Sequence, residues 1–278
     1  MYLRHFGLRE KPFALTPNTE FFVPLPVHMQ ALEVLCTALA EGEGFIKVVG
    51  EVGTGKTLLC RLLVAELEDP WVTVHLSNSF LSPSGVYAAL ARELGVITDE
   101  DLPSHQLIER IQNRVLELRA AGRRPVLLID EAQSLPTASL EAIRLLTNLE
   151  TERSKLLQVV LVGQPELDER LKNRALRQLG QRVSFSARLA PLSRGETRRY
   201  LRHRLSAAGR STDLPFTGSA IRKLHRASGG IPRVLNLLCH KAMMSAYGRG
   251  DARIGYRHMR RAIVDTPATR PTGWRMLG

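Results

Sequence analysis

The sequence predicts an α/β fold, in which a five-stranded parallel sheet is flanked by helices and followed by a small C-terminal helical domain. An apolar, β-branched run at 45–49 leads into a glycine-rich loop and then into a helical pattern at 58–63. Further strand patterns alternate with helix patterns as far as residue 185, which is typical of parallel strands joined by right-handed crossovers. Only helix patterns follow the proline-containing break at 191–193.

The individual elements are predicted from the spacing of their apolar residues. Residues 1–25, where aromatic residues alternate with turn residues, predict an irregular arm that either builds part of a ligand site or serves as a surface clasp. Strands are expected at 45–49, 71–76, 123–129, 156–162 and 183–185. Helices are expected at 28–41, 58–63, 83–94, 104–121, 136–149, 166–180, 194–208, 217–228, 231–248 and 256–264.

Composition favours a packed protein in a reducing compartment. Hydrophobic residues make up 44% of the chain, so a core is expected and disorder is not. No apolar run approaches the roughly 20 residues of a membrane helix, and the first residues do not begin a signal peptide. Cys36, Cys60 and Cys239 are far apart in apolar helical contexts, so we expect reduced core thiols, as suits the cytoplasm.

Charge is unevenly distributed along the chain. Residues 1–150 carry 13 Lys and Arg against 19 Asp and Glu, whereas residues 151–278 carry 26 against 8, within a net charge of +12. A basic half of this kind fits nucleic acid, an acidic partner or an anionic membrane surface, and it also fits an ordinary solvated face. Arginine predominates over lysine there, which favours an interface.

Residues 50–57 match the pattern G-x-x-x-x-G-K-[ST] without a mismatch, between the strand and the helix that the pattern requires. Glycines let backbone N–H groups point at phosphate oxygens, and the helix N-terminus adds partial positive charge. The Lys56 ammonium can reach the β- and γ-phosphates, and the Thr57 hydroxyl can bind Mg²⁺. The sequence therefore predicts a site for ATP and Mg²⁺. Its phosphate-binding residues are Gly50, Glu51, Val52, Gly53, Thr54, Gly55, Lys56, Thr57 and Leu58.

Polar residues follow the other predicted strands at the same edge of the sheet. Asp130 closes an apolar strand in the Walker B position, where a carboxylate holds the Mg²⁺ shell. Glu131 comes next and is placed to polarise an attacking water. Gln164 ends the following strand and either senses the γ-phosphate or is a turn residue before Pro165. Asn78 follows the second strand and could restrain Glu131.

Arginines supply the remaining catalytic candidates. Arg174, Arg177 and Arg182 lie between the fourth and fifth strands, from where an arginine can stabilise charge on a neighbouring subunit's γ-phosphate, and Arg182 is preferred because it adjoins the strand. Arg233 follows Gly229-Gly230-Ile231-Pro232 at the start of a helix. It either contacts the γ-phosphate from a helical lid or is part of a simple helix cap.

Several strings together resemble the AAA+ ATPases, and among them the ExeA/GspA-type ATPases of secretion and pilus assembly. The likeness covers about residues 1–265, and within the group it is strongest to the short members of MSHA (type IV) pilus biogenesis. The strings that carry it are Phe6-Gly7-Leu8-Arg9-Glu10-Lys11-Pro12-Phe13, residues 42–57, Leu128-Ile129-Asp130-Glu131-Ala132-Gln133, residues 146–151 and Gly163-Gln164-Pro165-Glu166-Leu167.

The resemblance implies an AAA+-type nucleotide-binding domain at 1–190 with the arm at 1–25, a helical lid at 191–265 and a flexible tail at 266–278. It implies Mg²⁺-dependent ATP hydrolysis, a ring-shaped or helical homo-oligomer, and work from the cytoplasm beside the inner membrane through a membrane-associated pilus or secretion assembly protein. The alternative is a DNA-handling ATPase, such as a transposition regulator of the TnsC/TniB type. The basic half keeps nucleic acid open as a partner.

Overall fold

The computed structural model describes residues 2–16, 18–76, 80–97, 102–147, 150–151, 154–210 and 213–267. Close Cα neighbours group the chain into two compact units. We call Val27–Gly50 with Leu59–Leu189 the sheet unit, and Met1–Pro26, Glu51–Leu58 and Ala190–Gly278 the helical unit. The boundaries expected from the sequence, at 190 and 265, stay a prediction.

The sheet unit contains five parallel strands, so the predicted fold class is confirmed. The strands are β1 Phe45–Gly50, β2 Trp71–Leu76, β3 Arg124–Ile129, β4 Glu150–Thr151, β5 Ser154–Lys155, β6 Gln158–Gly163 and β7 Val183–Leu189. The order in the sheet is β2-β3-β6-β1-β7, so β1, which leads into the phosphate loop, lies between β6, which ends just before Gln164, and the edge strand β7. The short antiparallel pair of β4 and β5 was not expected from the sequence.

Helices cover both faces of this sheet and make up most of the helical unit. The first and the last four belong to the helical unit, and the third begins there and continues into the sheet unit. They are α1 Tyr2–His5, α2 Pro26–Ala40, α3 Lys56–Glu66, α4 Pro83–Glu93, α5 Ser104–Ala120, α6 Thr137–Leu146, α7 Glu166–Lys172, α8 Arg177–Arg182, α9 Arg194–Ala207, α10 Gly218–Ser228, α11 Pro232–Tyr247 and α12 Tyr256–Val264.

The core of the sheet unit consists of two apolar layers, because side chains alternate between the faces of each strand. Ile46 and Val48 of β1 pack with side chains of α2 and α3, whereas Phe45 and Val49 pack with α4 to α7. Alternation along β1 thus fixes which of its side chains enter each of the two layers.

Two predicted elements differ from the structure. The basic stretch 166–180 is not one helix, because Asn173 has extended backbone angles and separates α7 from a short 3₁₀ turn before α8. The last strand is longer than expected and runs to Leu189, where Ala187 and Leu189 are buried.

The three cysteines are free, and burial raises the pKa of the Cys239 thiol well above its usual value.

The N-terminal arm packs on helices of its own unit. Arg204 of α9 is buried and donates from Nε to the Pro12 carbonyl at 2.6 Å and from its two terminal nitrogens to the Ala14 and Phe21 carbonyls at 3.4 Å each. Its guanidinium also lies 4.8 Å from the centre of the Phe21 ring. Burial lowers the pKa of Arg204. A single side chain therefore binds the arm at three backbone positions.

Replacing Arg204 by alanine should loosen the arm without unfolding the sheet unit. Hydrogen bonds that involve a charged donor contribute about 1.5–3 kcal/mol, so the loss should speed amide exchange of residues 2–16 by tenfold or more. Hydrogen–deuterium exchange measures this directly. Arg199→Ala, an exposed change on the same helix, is the control, and equal exchange in both variants would mean that Arg204 does not hold the arm.

Candidate active site

The phosphate loop begins where β1 ends at Gly50, and α3 starts at Lys56. Gly53 and Gly55 have positive φ angles of 83° and 104°, which L-residues rarely adopt. The Lys56 side chain folds back over the loop, where its Nζ donates to the Glu51 carbonyl at 3.2 Å, and only 5% of the residue is exposed. A buried ammonium held by a curled, glycine-rich backbone fits a phosphate group.

The start of α11 lies against the same loop, within the helical unit. The backbone N–H of Arg233 donates to the Gly53 carbonyl at 3.2 Å. A Cβ on Gly53 would come within 2.6 Å of the Arg233 Cβ, so a side chain there would displace the helix start. Gly230 lies just before the start of α11 and has a φ of 76°. Because glycine has no Cβ, the backbone of Leu192 can approach it closely. The double glycine and Pro232 thus position an exposed Arg233 beside the phosphate loop.

Asp130 and Glu131 follow β3 directly and differ in conformation. Asp130 is buried, with 7% of its surface exposed, and its Oδ1 accepts the Glu131 N–H at 2.9 Å. Glu131 is in the left-handed region at φ 51°, ψ 38°, and is the non-glycine residue with positive φ among those that the structure describes. Such a conformation costs about 1–3 kcal/mol and persists where neighbouring contacts hold it.

Two amide side chains hold the Glu131 carboxylate. Its Oε2 accepts from Gln133 Nε2 at 2.6 Å and from Gln164 Nε2 at 3.0 Å. Gln133 Oε1 in turn accepts the backbone N–H of Gln164 at 3.0 Å, and Arg170 donates to the Gln133 carbonyl. The structure therefore brings Glu131 and Gln164 together at the ends of two neighbouring strands.

Gln133 is a site residue that the sequence reasoning did not single out. It lies in the 3₁₀ turn Ala132–Ser134, which returns its side chain towards Glu131. Gly163 leaves room for it, because a Cβ there would come within 2.8 Å of Gln133 Oε1. The available signal was an amide two residues after a strand-end carboxylate, which is weak by itself.

The arginines between β6 and β7 lie in the sheet unit. Arg174 and Arg177 are exposed, whereas Arg182 is half-buried at the end of α8 and donates from one terminal nitrogen to the Arg144 carbonyl at 3.5 Å. That distance is at the long limit of a hydrogen bond, so the guanidinium is held only weakly. Asn78 lies outside the described residues.

Side chains of the described residues alone do not supply a full set of ligands for Mg²⁺. Within the described ranges, no three His, Cys, Asp or Glu side chains gather closely enough to hold a metal ion. A site built from one hydroxyl, one carboxylate, phosphate oxygens and water suits Mg²⁺, which keeps several waters. Over the same residues, the helices are too short or too polar to cross a membrane.

Comparison with known proteins agrees with this geometry. Residues 39–171 match the family described as AAA domain. The chain is 41% identical over 273 residues to general secretion pathway protein A of Aeromonas hydrophila, which covers 98% of this chain and 50% of the relative. The chain thus spans about half the length of this curated relative.

Solved structures show the same fold at low identity. Cdc6p of Pyrobaculum aerophilum aligns with a TM-score of 0.69 and 19% identity, over 92% of this chain and 70% of that one. The ORC2 protein of Aeropyrum pernix, solved as ADPNP–ADP complexes, aligns with a TM-score of 0.64 and 16% identity, over 94% and 73%. At these identities the likeness shows the fold alone.

Proposed function

We propose that this chain is an AAA+ ATPase that binds and hydrolyses ATP and assists assembly of an envelope machine of the type II secretion or MSHA (type IV) pilus kind. The observation that carries the ATPase proposal is the left-handed Glu131, whose carboxylate is held by Gln133 and Gln164 at the strand ends. The phosphate loop with its buried Lys56 supports nucleotide binding.

Each site residue has a proposed role. The loop N–H groups and Lys56 bind the phosphates, and Thr57 and Asp130 hold Mg²⁺, which neutralises charge on the phosphate oxygens. Glu131 polarises the attacking water as general base, and Gln164 orients it. Arg233 links the angle of the helical lid to the nucleotide, because its helix already bonds to the loop.

The secretion assignment rests on similarity to general secretion pathway protein A. Its finer form, an MshM-type protein of pilus biogenesis, rests on the sequence strings alone. We propose that the chain assembles with itself, head to tail, and acts from the cytoplasmic side of the inner membrane through a membrane-associated assembly protein. The DNA-handling alternative of the TnsC/TniB type draws support from the basic residues after 150, and the DNA measurement described in the next subsection tests it.

Lys56→Ala should weaken binding of ATP–Mg²⁺ between about tenfold and a hundredfold, because it removes a charge-assisted bond of about 1.5–3 kcal/mol. Titration with a fluorescent ATP analogue measures the affinity, and circular dichroism checks the fold. Lys172→Ala, which removes an exposed ammonium paired with Glu169, is the matched control. Equal nucleotide affinity in the Lys56 variant and the unmodified chain would remove the basis of the proposal.

A further inference from the structure

A cleft in the helical unit, separate from the phosphate loop in sequence, has a volume of about 530 Å³. Its walls come from α9, from the segment that leads into α10 and from the loop before α12. Four arginines line it, with Asp213 as an acidic neighbour. The arginines are Arg198, Arg202, Arg210 and Arg253.

These arginines are poorly neutralised by the protein itself. Among the residues that the structure describes, none of the four forms an ion pair. Arg198 and Arg202 are four residues apart on one helix, a spacing at which like charges destabilise the helix. Arg210 is fixed in place, since its Nε donates to the Asp213 carbonyl at 3.0 Å and a terminal nitrogen donates to the Phe6 carbonyl.

The floor of the cleft is apolar and closed. Leu205, Phe216 and Ile221 line it, and each is at least nine-tenths buried. Proteins that bind single-stranded nucleic acid use aromatic side chains on which the bases stack. The ring of Phe216 is buried and therefore not available for such stacking. A cleft of this size holds a few side chains or a small ligand, whereas a duplex presents its phosphates on a broad convex surface.

We propose that this cleft binds a carboxylate-rich segment of a protein partner. The planar guanidinium of arginine matches a carboxylate through two parallel hydrogen bonds, and arginine is enriched where proteins meet while lysine is depleted. An acidic segment would reduce the repulsion between Arg198 and Arg202 and add carboxylates to a cleft in which four arginines face the single acidic side chain of Asp213. This inference goes beyond the ATPase proposal and needs no nucleotide.

The test measures binding of a labelled oligoglutamate peptide to the whole chain by fluorescence anisotropy, without nucleotide. Arg198→Glu combined with Arg202→Glu should lower the affinity for the peptide by at least tenfold. The control combines Arg257→Glu with Arg260→Glu, which lowers the net charge equally on exposed positions of α12 outside the cleft. It should change the affinity by less than threefold. Thermal unfolding of both variants confirms that each is folded.

The same variants are titrated with random duplex DNA and with vesicles containing phosphatidylglycerol, across a salt series. Selective loss of the peptide in the cleft variant supports the proposal. Equal loss in both double variants, or absence of peptide binding to the unmodified chain, overturns it. Loss of DNA or vesicle binding in the cleft variant, with peptide binding weak throughout, also overturns it and assigns the cleft to a phosphate-bearing surface, since steep salt dependence marks phosphate contacts.

Discussion

Arg182→Ala is expected to lower ATP turnover by about 10³–10⁵-fold, the range that an arginine supplied to a neighbouring site contributes in related NTPases. In the proposed oligomer, one subunit binds the nucleotide and the next subunit supplies Arg182. Head-to-tail contacts of this kind close into rings or continue as helices. The weak bond from Arg182 to the Arg144 carbonyl leaves the guanidinium free to find a stronger acceptor. The isolated subunit should therefore be nearly inactive.

A mixing experiment separates this role from a structural one. Arg182→Ala keeps an intact nucleotide site but supplies no arginine, and Lys56→Ala supplies the arginine but lacks a working site. Each alone should be inactive, and a mixture should regain activity wherever the two meet. Arg174→Ala and Arg177→Ala, both exposed, serve as controls and as the next candidates. Full activity of Arg182→Ala, or an inactive mixture despite mixed oligomers seen by native mass spectrometry, would contradict the assignment.

Glu131→Gln should retain ATP while turnover falls by about 10²–10⁴-fold, the usual contribution of a general base. The amide keeps the shape of the side chain and can still accept from Gln133 and Gln164, but it does not take up a proton from water. Phosphate release under single-turnover conditions measures the chemical step, and an ATP titration measures retention.

Gln133→Ala is the companion variant. It leaves the carboxylate in place and removes the 2.6 Å hydrogen bond from Gln133, which is shorter than the one from Gln164. Turnover should fall less than in Glu131→Gln, by about ten- to a hundredfold, because one hydrogen bond to a charged carboxylate contributes about 1.5–3 kcal/mol. Near-normal turnover in Glu131→Gln would mean that another group acts as the base.

Most of the sheet was predictable because its information is local. The five strands are short apolar runs bounded by turn residues, and the glycine spacing at 50–57 defines the phosphate loop. The contact between Glu131 and Gln164 depends in addition on the order of the strands, which was not predicted: β3 and β6 are neighbours, so their ends share an edge of the sheet.

The remaining features depend on tertiary contacts that leave little trace in the sequence. A left-handed backbone conformation is uncommon for glutamate. The sequence therefore did not predict the turn that brings the Gln133 side chain back to the Glu131 carboxylate. The break at Asn173 interrupts a stretch that carries a continuous helical pattern. Arg204 reads as one more arginine of a basic helix, although its partners lie some 190 residues earlier in the chain.

The two compact units are interleaved along the chain, which passes between them in five alternating segments. A fragment ending near residue 190 would include the arm but lack the helices on which it packs, leaving Phe6, Phe13 and Phe21 exposed to water. Such a fragment would be prone to aggregate for reasons unrelated to the sheet. Expression of the sheet unit alone therefore requires removal of the arm together with the C-terminal helices. A stability change measured after a simple C-terminal truncation would combine the loss of these helices with the exposure of the arm.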